Sequence, residues 1–509
     1  MSSWFDLLRG LFGRRDQPGE RKDQTEIPSP TRPLSTRGDA PEPKLDSIPP
    51  RPTKAQPKRS DQKPAGPGAG RSLEYLIVVG LDFGTAYTKC VMRDALVRDP
   101  GKAFPVPFEL ADGWTYLVPS VVIRKPDGLA SAFDGPLTDA SERIDYLKMR
   151  LVAELDRQRA GAWRDGVSSA EAQVLVAWFL AQVLARVGRA IRLRWTDFGS
   201  CRSDQCFINI CVPIAHADGS AVEKCLLDAL CAARNALGPA GTATISVDQI
   251  RTVLADTAML NQARQHCYAY PETSANLQSY LKSRARQPGL YLFSDVGAGT
   301  VDLTFFQLMA DPGDDTPLRY YHASVLDAGS SKLELKAKEL DPSLSLLDLI
   351  AAKEGHPDRQ NDRLARALAA ARIVVHDEIA SGVGRGVTVT ESKLHRDRFY
   401  QRSQMRNIRL MYSGGGYTNQ PYGEAVRAFY RLRQWDHLPE LKALPIPDDM
   451  VWSPNIAPIS FCRLSVAYGL AFARYELDGH RFPSQTAVNP DSPLRKSTER
   501  PSAPTKDEV

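Results

Sequence analysis

The chain has 509 residues, with 65 Lys and Arg against 60 Asp and Glu and a formal net charge of +5. Residues 14–72 hold 13 basic and 8 acidic side chains and residues 479–509 hold 5 and 4, which leaves residues 73–478 at −1. Bulk charge therefore gives no reason to expect direct nucleic-acid binding. At about 150 residues per domain, the part beyond residue 72 is long enough for two cores.

The chain opens with MSSWFDLLRGLFGRR, in which Trp4, Leu7, Leu8, Leu11 and Phe12 recur at helical spacing while Asp6 and Arg9 fall largely elsewhere. The segment is too short to span a bilayer and has no cleavage-site pattern. Residues 1–13 read as an amphipathic peptide that docks on a protein partner or lies peripherally on a membrane surface; the alternative is an inert start of chain. Residues 14–72 hold 12 of the 37 prolines and almost no large apolar side chains. That predicts a disordered basic linker, because little burial is available to offset ordering entropy.

Beyond residue 73, LIVVGLDFGT and YTKCVMRD read as strands around a glycine turn, and LVPSVVIRK as another strand. Long helices are predicted over 169–192 and 220–236, the second after a strand at 207–214. The apolar run VLVAWFLAQVLARVG is broken by Gln182 and Arg186 and falls short of the ~20 residues a span needs, so it reads as a buried helix. With neither export signal nor span, a cytoplasmic location with reduced cysteines is expected, residues 1–13 allowing contact with the inner membrane face. Cys201, Cys206, Cys211 and His216 are spaced by five, but Cys211 falls in the strand-like FINICVPI and the close pairs of a zinc site are absent. A second hairpin, LYLFSDVGAGTVDLTFFQL, follows. After it come a helix over 361–380, the strand GVTVT, NIRLMYSGGG leading into a helix, and a disordered tail over 479–509. Two glycine-turn hairpins about 210 residues apart in a mixed chain suggest an internally duplicated α/β protein, with lobes at 73–270 and 271–478.

Both hairpins carry the same chemistry. In Asp82-Phe83-Gly84-Thr85 and in Asp295-Val296-Gly297-Ala298-Gly299-Thr300-Val301-Asp302, a hydrophobic strand ends in Asp and glycine turns the chain into another strand. Glycine lets backbone N–H groups approach phosphate oxygens, and Thr85 and Thr300 add hydroxyls. The carboxylates need a divalent cation, Mg²⁺ held through waters, to screen their repulsion from phosphate. No G-x-x-x-x-G-K-[ST] loop occurs, and Gly297-x-Gly299 lacks the third glycine and the helix of a dinucleotide fingerprint.

With these motifs the chain resembles the actin, sugar-kinase and heat-shock chaperone ATPases, and within them the DnaK-type nucleotide-binding domain. The resemblance covers residues 75–478. Its elements run in the family's order: GLDFGTAYTKCV, LVPSVV, YLKMRL, CVPI, VLADTAM, DVGAGTVD, RLARALAAARIVV, LMYSGGGYTNQP and SVAYGLAFA. It implies a duplicated ribonuclease H-like, actin-like two-lobed ATPase fold in which the last helix returns to the first lobe, with ATP or ADP and Mg²⁺ as ligands. In it, Asp82 and Asp295 hold the metal's water shell, and Gly84, Thr85, Gly297, Ala298, Gly299 and Thr300 cradle the phosphates. Asp302 positions or deprotonates the attacking water, and Lys148 reaches the terminal phosphate. Gly414, Gly415 and Gly416 pack on the adenosine, and Arg372 takes the place of a lysine on the helix that brackets adenine.

Departures are Ala86 for the second threonine of the first loop, Leu254-Ala255-Asp256-Thr257-Ala258 for a segment whose acidic residue is displaced or lost, Ile373 and His376 on the helix that brackets adenine, and Arg463 for an acidic or polar neighbour of the final AYG helix. The phosphate site is thus expected to be intact and the adenine site remodelled. No peptide-binding domain of the chaperone kind is expected. The reading is a slow ATPase that acts as a nucleotide-dependent conformational switch for a protein partner. Alternatives are an actin-like filament or membrane-recruited cytoskeletal protein, or a pseudo-ATPase scaffold.

Overall fold

The first hairpin pairs β1 (Leu76–Phe83) with β2 (Tyr87–Asp94) antiparallel, from Ile77 opposite Asp94 to Phe83 opposite Thr88. LIVVGLDF is apolar almost throughout because β1 is buried on both faces, as a central strand must be. In this computed structural model the described residues are 74–96, 102–125, 128–135, 143–153, 167–217, 219–237, 245–310, 317–353, 361–396, 407–418, 421–432 and 439–486. All fall within the unit Gly70–Val509. The amphipathic peptide 1–13, the linker 14–72 and residues 487–509 lie outside the described residues.

Beyond β2 the sheet adds β3 (Phe104–Pro105), and on its other side β1 pairs in parallel with β4 (Gln205–Val212), which pairs in parallel with β5 (Cys267–Pro271). The order is β5-β4-β1-β2-β3. The second hairpin joins β6 (Gly289–Val296) to β7 (Val301–Leu308); β8 (Leu318–Leu326) extends it antiparallel, while β9 (Arg409–Ser413) and β10 (Leu441–Ala443) run parallel on the far side of β6. With β11 (His480–Arg481) on β8, this order is β10-β9-β6-β7-β8-β11. Up to β3 and β8, the two sheets share strand order and polarity. The chain is thus a mixed α/β protein with two mixed sheets.

The first sheet is covered by α1 (Leu147–Ala153), α2 (Ser169–Arg194) and α3 (Ala221–Ala236). Ser168 caps α2 by accepting from the Glu171 N–H. Among the described residues α2 is the one helix long and apolar enough to cross a membrane. Its Leu175, Phe179 and Val183 are buried in the first core, and Trp178 Nε1 donates to the Ile245 carbonyl at 3.0 Å. A short helix, α4 (Glu272–Asn276), leaves β5 directly.

Around the second sheet lie α5 (Ser331–Leu340), α6 (Leu346–Lys353), α7 (Asp362–Arg396) and α8 (Tyr422–Leu432). The expected strand GVTVT does not form; it is the interior of α7, which runs unbroken for 35 residues. Its β-branched residues obey the helical period: Val375, Ile379, Val383 and Val387 recur every fourth position, all at most 2% exposed, and tertiary burial overrides local propensity. Gly386 lies on that same face. A Cβ there would come within 3.0 Å of Phe305 Cδ2 and His322 Cδ2, so glycine sets how closely α7 rests on β7 and β8. Gly386→Val is expected to cost about 1–3 kcal/mol through overpacking, read as a lower urea midpoint at unchanged m-value.

Residues 479–486, assigned to the tail by the sequence, are held: Leu318 and Arg319 pair with His480 and Arg481, and Thr486 Oγ1 donates to the Tyr320 carbonyl at 2.6 Å. The last helix, α9 (Ser465–Leu470), packs on β1 and α4 and so returns to the first sheet.

Candidate functional site

Asp82 and Asp295, the penultimate residues of β1 and β6, line one cleft of about 710 Å³. The first turn contributes Asp82, Gly84 and Thr85; the second contributes Asp295, Gly297, Ala298, Thr300 and Asp302. Lys148 enters from α1, and Gly414, Gly415 and Gly416 follow β9. Gly299 and Arg372 are not among the lining residues.

Asp82 is 4% exposed and its Oδ2 accepts from Lys89 Nζ at 2.5 Å. In register, Asp295 faces Asp302 across the second hairpin and Ser413 across β9. Asn276 Nδ2 donates to Asp295 Oδ2 at 2.5 Å, and Ser413 Oγ donates to Asn276 Oδ1 at 3.0 Å. Immediately after β9, Gly414 has φ +92°, and a Cβ there would lie 2.6 Å from the Val296 carbonyl carbon. Both facts require glycine where the chain folds over the second loop.

Lys148 Nζ lies 3.1 Å from Glu272 Oε2, with both side chains largely buried. Burial by itself would lower the lysine pKa. The surrounding Glu272, Cys211, Asp82 and Asp302 outweigh it, and the net shift is upward, so the ammonium persists. Asp295 is pushed well above the usual carboxylate range, first by burial and then by Glu272, Asp302 and Asp82. Six carboxylates, at 82, 145, 272, 295, 302 and 334, line the cleft against five basic side chains, Lys89, Arg143, Lys148, Lys353 and Arg463, an excess of one negative charge when all are ionised. A hard divalent cation fits this donor set: it offsets that excess and relieves the repulsion that raises the Asp295 pKa.

Lys89 and Glu272 were not singled out in the sequence. Lys89 carries a signal, a charge beside the glycine turn, at the start of β2, that is set opposite Asp82 once the hairpin register is drawn. Glu272 follows CYAYP, a strand the sequence reading did not recognise. The segment at 254–258 is elsewhere: Asp256 is exposed and caps the helix Thr257–Ala263, accepting from the Ala258 and Met259 N–H groups at 2.9 and 3.1 Å. Glu272, not this segment, brings an acidic side chain to the cleft.

The residues expected around adenine are also placed differently. Arg372, Ile373 and His376 do not line the cleft, and Ile373 is 65% exposed. Beyond the glycines the wall is formed by Tyr146, Ile350, Arg463 and a buried ion pair, Lys353 Nζ to Glu334 Oε2 at 2.8 Å. Arg463 lies against Gly415, where a Cβ would sit 3.3 Å from its Cγ. The five-spaced cysteine and histidine set does not gather. Among the described residues the one group close enough to share a metal ion is Asp82, Cys211 and Glu272. Compared with known proteins, the chain matches no protein-family model and no curated protein.

Proposed function

We propose that the chain binds Mg-ATP between two lobes of a duplicated ribonuclease H-like, actin-like fold and hydrolyses it slowly, as a conformational switch for a protein partner. The observation that carries the reading is the convergence of two D-x-G turns on one cleft, each at the end of a central strand of sheets that repeat the same order and polarity. One such turn is common; two facing each other across a charged cleft make a site for a polyanion and its cation.

In this reading the N–H groups of Gly84, Thr85, Ala298 and Thr300 receive phosphate oxygens, the Gly297 N–H being held within the turn by the Thr300 carbonyl, with Lys89 and Lys148 supplying positive charge. Mg²⁺, held through waters by Asp82 and Asp295, would screen the phosphates and polarise the terminal one. Asp302, on β7 opposite Asp295, orients the attacking water. Lys148, kept charged by its acidic neighbours, stabilises the charge that develops on the transferred phosphoryl group. The nucleoside extends past Gly414–Gly416 towards Arg463 and the Glu334–Lys353 pair. Closure of the cleft around the terminal phosphate supplies the two states that a partner distinguishes, and residues 1–13 supply its tether.

Titration of the full chain with ATP, with and without Mg²⁺, tests the reading. Saturable Mg²⁺-dependent binding is expected. Lys148→Met should lower turnover by about 10²–10³-fold while ATP affinity changes far less. Absence of ATP binding in the wild type, or wild-type turnover in the variant, would overturn the proposal.

A further inference from the structure

Cys211 has no part in that phosphate chemistry, yet it lies at the centre of the cluster. It is the penultimate residue of β4 and 1% exposed. Its Sγ lies 3.8 Å from Asp82 Oδ1, while Lys89 holds the other oxygen, Oδ2, at 2.5 Å. Glu272 stands beside them, its Oε2 3.1 Å from Lys148 Nζ. One ligand atom from each of Asp82, Cys211 and Glu272 falls within 4.8 Å of the other two. In tetrahedral zinc coordination, with bonds of about 2.3 Å to sulfur and about 2.1 Å to oxygen, a sulfur and an oxygen ligand are about 3.6 Å apart. The Asp82–Cys211 spacing is nearly that edge already.

We infer that Asp82, Cys211 and Glu272 form a three-ligand site for a thiophilic divalent cation of the Zn²⁺ class, with its fourth position open to the cleft. Three protein ligands of mixed S and O character with one open position is the pattern of an accessible zinc site rather than a closed structural one. Mg²⁺ does not take a thiolate, so the sulfur distinguishes this site from the water-held metal proposed above. Binding forms a metal–sulfur bond and releases the Cys211 proton to solvent. Lys89 and Lys148 stay as outer partners that orient the two carboxylates. Asp82 is shared with the proposed Mg²⁺ site, so a soft cation here competes with it and acts as a brake. The coordination itself requires no nucleotide.

Co²⁺, a spectroscopic stand-in for Zn²⁺, tests this on the full chain without nucleotide. One equivalent of Co²⁺ should produce a thiolate-to-metal charge-transfer band that Zn²⁺ abolishes, that Cys211→Ser removes, and whose apparent affinity falls at least tenfold in Glu272→Gln. No band in the wild type overturns the inference, as does a band that survives Cys211→Ser, in which case a more accessible thiol such as Cys201 is the ligand. Should Cys211→Ser fail to fold by circular dichroism, Glu272→Gln decides, and unchanged affinity overturns the site. ATP titration of the wild type is a separate measurement, so failure of the nucleotide reading leaves this result standing.

Discussion

Asp295→Asn is expected to raise the melting temperature of the metal-free protein at neutral pH and above, and to abolish the stabilisation by Mg²⁺ that the proposed function predicts for the wild type. Asp295 is buried with Glu272, Asp302 and Asp82 around it, and burial followed by these charges lifts its pKa well above the usual range. A carboxyl whose folded-state pKa exceeds its unfolded value contributes stability that is fully present below the unfolded pKa. That stability is lost as pH rises through the folded value. Wild-type stability should therefore decline as pH rises from the ordinary carboxylate range, and the amide, which cannot ionise, should flatten that decline. The amide oxygen can still accept from Asn276, so the hydrogen bond that holds Asp295 Oδ2 at 2.5 Å is retained in kind. Melting curves across pH, in chelator and in Mg²⁺, measure both effects, at about 2–4 °C for each kcal/mol in a domain of 150–250 residues. The variant should also lose Mg-ATP affinity on the order of 100-fold, the scale of a lost charge-stabilising contact. A variant that melts below wild type at every pH, with Mg²⁺ leaving the wild type unmoved, would sink the idea that Asp295 is a destabilised group kept for a cation.

That trade between stability and charge marks the part of the site that was legible in the sequence. Asp82 and Asp295 each end a buried hydrophobic run broken by glycine, and both features are local, so both hairpins could be read directly. Glu272 depends on pairing between β4 and β5, where Val212 meets Pro271. CYAYP is half-buried, short and lacks a flanking glycine turn, so nothing local announces it. Lys89 is legible as a charge but acquires meaning only when register sets it against Asp82.

On α7 the existence of a helix was legible and its orientation was not. Leu364, Leu368 and Ala371 pack with Ala337 and Leu349 of α5 and α6, which turns Ile373 outward. The charged pair on the cleft wall comes instead from those two helices, as Glu334 and Lys353, 19 residues apart. GVTVT misled because β-branched residues favour strands, while the spacing from Val375 to Val387 fits a helix face.

The clamp between the two sheets should be the most sensitive point in the fold, and Gly469→Ala its sharpest probe. A Cβ at Gly469 would lie 2.5 Å from the Ala275 carbonyl carbon and 3.0 Å from its Cα; one at Gly80, in the middle of β1, would lie 2.6 Å from the Ala471 nitrogen and 2.7 Å from the Leu470 carbonyl carbon. All four are backbone atoms, so no side-chain rotation relieves the clash, and α9 must lift from β1 or α4. Asn209 Nδ2 resists that movement by donating to the Leu470 and Phe472 carbonyls at 2.7 and 3.1 Å. The displacement would also reach the site, because Ser465 Oγ lies 2.8 Å from Ser413 Oγ, which donates to Asn276, which donates to Asp295. Gly469→Ala is expected to cost about 3 kcal/mol or more, at or beyond the upper end of ordinary overpacking, and to weaken metal-dependent nucleotide binding together with stability. Gly188→Ala in α2 is the matched control: its nearest contact would be Arg192 Nη1 at 3.7 Å, and alanine there should be neutral or stabilise by up to about 1 kcal/mol. Urea midpoints of the two variants decide the matter, since a Gly469→Ala protein that unfolds with the wild type would mean that α9 does not bear on β1 and α4 as closely as its backbone contacts require.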